Sequence, residues 1–442
     1  MKRGLFTALS IILIFIISCK KSENKVAGDQ AKPVAEKKVY LPNEWKKIDL
    51  NNNDSEWSNL RSAKSANVVV FWQKGFGDDP SKATDASMRF NKEVILQKAE
   101  RIYETYRNTL KFTGLNTRTD SLRMMIQVVY SKDWVAAGSG WDNIIGALWV
   151  TPRALNIDAV LAHELGHCFQ YQVACDGMYG FRDQNYVGSF WEQCAQYMAR
   201  QIYPASQLDD LKFFTDNSYR NFSNEEIRYQ SFHLQEYWKL KRGADFIGKL
   251  WRGAIKPEHP LQTYKRIAGI DQPGLNDEIA DYAMRCVSWD LPNGEYVRSA
   301  ATRTNARLTT KLIKSTTDNS YIVDPTVAPE PYGFNAFELN MPTSSNQVSV
   351  SFTGLDNTKY KSFQGWRYGF VSLDAANIPT YGTLGKTDMG TVSFTVPASS
   401  VKLWFVVTGA PVTHYNHVWG TSQIEIPKFN YKVNFSNTSP KI

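Results

Sequence analysis

Near Asp290 the chain changes its hydrophobic period, and that change limits its fold more than any other feature. From Phe190 to Trp289 nearly every stretch has helical spacing or length, in segments near 190–202, 225–241, 243–253, 261–268 and 275–288. Beyond Asp290 come QVSVSFTGL, WRYGFVSL, TVSFTVP, VKLWFVVTG and YKVNF, short runs of period two between turn signals. Because side chains alternate faces on a strand but repeat every 3.6 residues on a helix, neither pattern can serve the other element. The later part is therefore expected to be an antiparallel β-sandwich or jelly roll over 325–437. The 442 residues leave room for two or three domains.

Upstream, Asn67–Trp72 and Leu122–Tyr130 read as strands, and 88–112 carries helical spacing between them. AAGSGWDN reads as a Gly/Ser loop leading to a further strand, Ile144–Val150, stopped by Thr151-Pro152. A helix follows over about 157–174. Strand, helix, two strands and then helices alone is an α+β order rather than an alternating doubly wound one.

At the amino terminus, Lys2 and Arg3 precede an apolar run from Leu5 to Ile17, too short for a stable membrane span and placed as in a signal peptide. Ile17-Ser18-Cys19 resembles a bacterial lipobox. Residues 1–19 are then a lipoprotein signal with Cys19 lipidated, 20–45 a polar tether, and the protein an outer-membrane lipoprotein on the periplasmic or cell-surface side. The net charge of +8 would fall to +6 once Lys2 and Arg3 are removed (8 − 2 = 6). No basic run interleaves with aromatics, so a nucleic-acid partner is not expected. Cys168, Cys175, Cys194 and Cys286 admit three disulfide pairings or none, though Cys168 and Cys175, seven residues apart on one helix, are too distant to pair.

The chemistry lies in His163-Glu164-Leu165-Gly166-His167. Histidines at i and i+4 share one face of a helix and can hold one Zn²⁺, with the intervening carboxylate placed to act as a base. The helix is expected to be amphipathic, with Val160, Leu161, Leu165, Cys168 and Phe169 packing beside the metal face. The strand 144–150 is expected to be a sheet edge that pairs with an extended substrate. Downstream, Ser189 is placed to cap a new helix whose first turn contains Glu192, which lies 192 − 167 = 25 residues after His167. That is distance enough for a return helix to bring a third ligand. A metzincin arrangement would need His at position 173, where Val stands, and Asp176 is the competing carboxylate.

Together these residues resemble the gluzincin zinc metallopeptidases, thermolysin-like in the wide sense. The succession AHELGHCFQYQ, GSFWEQCAQYM, RYQSFHLQEYW, WRYGF and LWFVVTGAP is similar to a family of exported bacterial zincin-like proteins with a C-terminal β-domain. The resemblance implies a zincin-like catalytic domain over 46–300, with a small mixed sheet, the HExxH helix and a helical subdomain. It also implies Zn²⁺ on His163, His167 and Glu192, Glu164 as general base, and peptide bonds of proteins or glycoproteins as substrate. One position departs: the thermolysin-like pattern has Asp four residues after the Glu, and Gln196 stands here.

Tyr229 and His233, four apart on a later helix, are candidates for donating to an oxyanion. Gln170 is a candidate partner of a ligand or a surface residue; Glu236, His414 and His417 read as surface or loop positions. The rival functions are a non-catalytic glycan- or protein-binding lipoprotein on the same scaffold, and a peptidoglycan-peptide amidase.

Overall fold

The computed structural model describes residues 36–181, 184–356, 359–417 and 425–441. The signal peptide, Cys19 and most of the tether lie outside them. Residues Lys37–Ile442 form one compact unit.

Its first layer is a five-stranded mixed sheet of β1 (Ser62–Lys64), β2 (Val68–Trp72), β3 (Met124–Val128), β4 (Ala136–Trp141) and β5 (Ile145–Val150), in the order β1-β2-β3-β5-β4. β2, β3 and β5 run parallel, while β1 and β4 are antiparallel at the two edges. β2 is a continuous apolar run and β3 one broken only by the buried Gln127, because both faces are covered. Val68, Val70, Met124 and Ile126 pack in the main core, and Val69, Phe71 and Met125 pack with Trp45 on the other side.

The expected rail therefore moves. Ile145–Val150 is an interior strand, and the edge is Ala136–Trp141, the stretch read as a loop. Its glycines, a breaker signal in the sequence, are there for close approach. A Cβ at Gly138 would fall 2.2 Å from the Glu164 carbonyl oxygen and 2.6 Å from His167 Cβ, and one at Gly140 would enter the Tyr171 ring.

The helices are α1 (Lys92–Glu104), α2 (Pro152–Leu155), α3 (Asp158–Cys175), α4 (Gln184–Arg200), α5 (Leu211–Asp216), α6 (His233–Arg242), α7 (Phe246–Arg252), α8 (Pro260–Ala268), α9 (Gln272–Cys286) and α10 (Gly294–Thr304). Fifteen of the eighteen residues of α3 are buried, so it is a central helix enclosed on nearly all sides rather than an amphipathic surface one. α4 starts five residues before Ser189, which caps nothing; its hydroxyl donates to the Ser223 carbonyl at 2.6 Å.

The remaining strands are β6 (Leu312–Lys314), β7 (Ser320–Val323), β8 (Phe334–Leu339), β9 (Gln347–Gly354), β10 (Trp366–Asp374), β11 (Pro379–Tyr381), β12 (Met389–Thr395), β13 (Ser400–Gly409) and β14 (Tyr431–Ser436). They make two antiparallel sheets, β11-β10-β13-β8 and β12-β9-β14-β7-β6. β6 and β7 lie upstream of residue 325, where the period-two runs place the start of this region. Alternate residues such as Val348, Val350 and Phe352 fill the core between the sheets. The four-stranded sheet is buried on both faces because helices cover its outer side: Phe334, Ala336, Val371 and Val406 belong to the same core as Phe214, Tyr282 and Trp289. Asp277 on α9 also pairs with Arg367 and Lys386, each at 2.6 Å. The whole is an α+β fold with several antiparallel pairings.

Candidate metal centre

α3 carries His163 and His167 one turn apart, and α4 packs against it with Glu192 opposite them. The two Nε2 atoms are 3.0 Å apart, and Glu192 Oε2 lies 3.2 Å from that of His163 and 3.3 Å from that of His167. Among the described residues this is the one group of three or more His, Cys, Asp or Glu side chains placed to hold a common ion. The outer nitrogens are engaged: His163 Nδ1 lies 3.1 Å from Gln196 Oε1, and His167 Nδ1 lies 2.7 Å from Gln170 Oε1. The His167 ring stacks on Trp191 at 5.1 Å with planes 9° apart.

Burial opposes ionisation of Glu192, but the close His163 and His167 imidazoles outweigh it and hold the carboxyl well below the usual carboxylate range. The neighbouring Glu164, only 6% exposed, is pushed the other way. Burial raises its pKa and the Glu192 charge adds to that, while His163 and the Gly138 N–H of β4 offset part of the rise. Two neighbouring carboxyl groups are thus pushed in opposite directions, one held charged and the other toward its neutral form, by environment alone.

Tyr229 lies beside this cluster, its ring 6.3 Å from that of His163 and beneath the Arg228 guanidinium at 4.8 Å. Burial, then Glu192, raises its phenol pKa, so the hydroxyl stays protonated and able to donate. The expected pairing with His233 does not hold. Tyr229 sits in the turn after a short helix at Glu225–Ile227, and α6 begins only at His233. The His233 ring is enclosed by Phe214, Phe232 and Trp289 and touches none of the ligand residues. Burial, with Arg200 nearby, lowers its pKa well below the usual value. It is a core histidine, and its expected oxyanion role falls away.

Asp176, the competing carboxylate, follows the end of α3 and accepts from Gln172 and the Arg118 N–H instead. Glu236 is buried rather than surface, accepting from Gln201 at 2.9 Å. Cys168, Cys175, Cys194 and Cys286 are all buried, and none of them is in a disulfide.

Fold and site thus define an α+β protein with an HExxH helix and a downstream glutamate converging on one point. The chain belongs to the family described as "Family of unknown function (DUF6055)", matched over residues 31–442. No curated protein matches it. Among solved structures it is similar to the ZmpB metallopeptidase from Clostridium perfringens, at 12% identity and TM-score 0.31 over 83% of this chain and 69% of that one. The catalytic domain of ZmpB solved with two further domains gives 9% identity and TM-score 0.32 over 87% and 60%. A family 22 carbohydrate-binding module of Clostridium thermocellum Xyn10B overlaps 30% of this chain and 80% of its own, at 10% identity and TM-score 0.18. Overlaps of this size define neither chemistry nor ligand, which must come from the chain's own residues.

Proposed function

We propose that the chain is a zinc-dependent metallopeptidase of gluzincin type, cleaving peptide bonds of proteins or glycoproteins outside the cytoplasm, anchored through lipid on Cys19. The observation that carries the reading is the convergence of His163 Nε2, His167 Nε2 and Glu192 Oε2. With both Nδ1 atoms turned to amide oxygens, three lone-pair atoms stand 3.0 to 3.3 Å apart. A cation relieves their mutual repulsion, and two imidazoles with one carboxylate are a donor set suited to a catalytic Zn²⁺ site with an open fourth position. When bound, Zn²⁺ would supply Lewis acidity to a carbonyl and lower the pKa of water.

The chain's own residues do the rest. Glu164, its pKa raised by burial, takes a proton from the attacking water and returns it to the leaving amine. The Tyr229 hydroxyl donates to the oxygen on which charge develops. β4, as the free edge, offers its backbone to an extended peptide.

The test is zinc content by elemental analysis together with cleavage-site profiling against Glu164→Gln. Stoichiometric zinc with cleavage lost in the variant supports the reading. A reconstituted wild type without zinc replaces it with the binding-protein alternative. For the anchor, Cys19→Ala should move the protein to the soluble fraction, and unchanged membrane fractionation would overturn that part.

A further inference from the structure

Gln170 and Gln196 each make two bonds of opposite sense. Gln170, fully buried, accepts from His167 Nδ1 at 2.7 Å and donates through Nε2 to the Trp191 carbonyl at 2.9 Å. Gln196, 8% exposed, accepts from His163 Nδ1 at 3.1 Å and donates to the Tyr229 carbonyl at 3.3 Å. A carbonyl oxygen only accepts, so each amide NH₂ must face it and each amide oxygen must face an imidazole. An amide oxygen likewise only accepts, which requires a proton on both Nδ1 atoms.

We infer that Gln170 and Gln196 are a matched pair of positioning residues that lock both histidines as Nδ1–H tautomers, leaving both Nε2 lone pairs for the metal. This rests on the zinc reading of the same site. Aspartate or glutamate, the usual orienting partner of a metal-bound histidine, meets only half of the requirement here. A carboxylate accepts from Nδ1 but cannot donate to the backbone carbonyl beside it, whereas an amide does both. The second bond fastens the metal site together: Gln170 on α3 grips α4 one residue before Glu192, and Gln196 on α4 grips the turn that presents Tyr229. The same choice lowers the charge of the site, because two neutral amides stand where carboxylates would make the imidazoles more basic. His163, His167 and Glu192 with Zn²⁺ then sum to +1, leaving the metal more electrophilic than carboxylate partners would.

The tautomers can be read without metal. In ¹⁵N-histidine NMR of the zinc-free protein at pH 8, wild type should show protonated Nδ1 and bare Nε2 for both residues. Gln196→Leu should release His163 to the Nε2–H form, and Gln196→Glu should keep it as Nδ1–H. Zinc affinity, from chelator competition, should fall about 10- to 100-fold in Gln196→Leu, the usual cost of losing such a partner. In Gln196→Glu it should stay within about threefold of wild type or tighten, because the acceptor is retained. Gln170→Leu tests the second arm in the same way, with circular dichroism reporting folding. Nε2–H histidines in wild type would overturn the inference. So would a Leu variant that binds zinc as wild type does, or equal losses in the Leu and Glu variants, which would reduce Gln196 to an anchor for the Tyr229 carbonyl. A wild type that shows Nδ1–H histidines yet binds no zinc would sink the metallopeptidase reading and leave the tautomer lock standing.

Discussion

Two regions of this molecule treat an imidazole in opposite ways. Between α3 and α4, His163 and His167 turn their Nε2 atoms toward one shared point with a carboxylate. Where the helices meet the β-sandwich, His259, His414 and His417 are dispersed among separate partners. His259 faces Ser223 Oγ at 2.8 Å and accepts from the Leu261 N–H, His414 faces the Tyr332 hydroxyl at 2.9 Å, and His417 faces Glu225 at 2.9 Å. The rings of His259 and His414 lie 5.1 Å apart, hardly further than the 4.6 Å between His163 and His167. Proximity alone does not gather donors: only the first pair brings its Nε2 atoms and a carboxylate oxygen to one point.

Five perturbations sharpen that comparison, the largest first. Glu164→Gln should lower turnover on a cleaved reporter peptide by about 10² to 10⁴ while zinc content stays at wild-type level, because a general base is lost and no ligand is. Glu192→Gln should instead weaken zinc binding by more than about 10²-fold, beyond the range for a group that only orients a ligand, and activity should fall with it.

At the other region, Phe334→Ala should cost about 3 to 5 kcal/mol in denaturant unfolding. The loss should appear as one transition in which sandwich and helices unfold together, since Phe334 shares its core with Phe214 and Tyr282; two separated transitions would break the single-core picture. Acid should find the same region. Burial holds His259 neutral well below its usual pKa and depresses His414 to about 3. The unfolded chain takes up those protons near pH 6.5 and the folded chain does not, so stability should fall as pH drops from about 6.5 toward 3. His414→Asn should flatten that slope by up to about 1.4 kcal/mol per pH unit. Asp176→Asn should be the mildest, leaving zinc content unchanged because this carboxylate stands outside the ligand cluster.

The clustering of His163 and His167 was legible because HExxH spacing is a property of the helix itself, and that of Glu192 because its distance along the chain suits a return helix. Less legible were groups whose role depends on an unseen neighbour. Gln196, conspicuous only as a departure from the gluzincin pattern, proves to accept from His163 where an aspartate was looked for. Of Tyr229 and His233 only Tyr229 lies beside the cluster, because the expectation that a single helix carries both fails; the turn before α6 separates them. AAGSGW concealed the sheet edge because its glycines report the closeness of α3 rather than a bend in β4. In the sandwich, period-two runs gave away the long strands, while Leu312–Lys314 and Ser320–Val323 are too short to display a period.

The enclosure of α3 would tie any ion held by His163 and His167 to the lifetime of the fold. A helix with almost no solvent face has no local route by which its amides can meet water, so their deuterium exchange should be among the slowest in the chain and follow global opening. Bound metal would slow that exchange further by the mass-action factor 1 + [Zn²⁺]/Kd. Escape of the ion and loss of the native core would then register as a single event on the exchange clock.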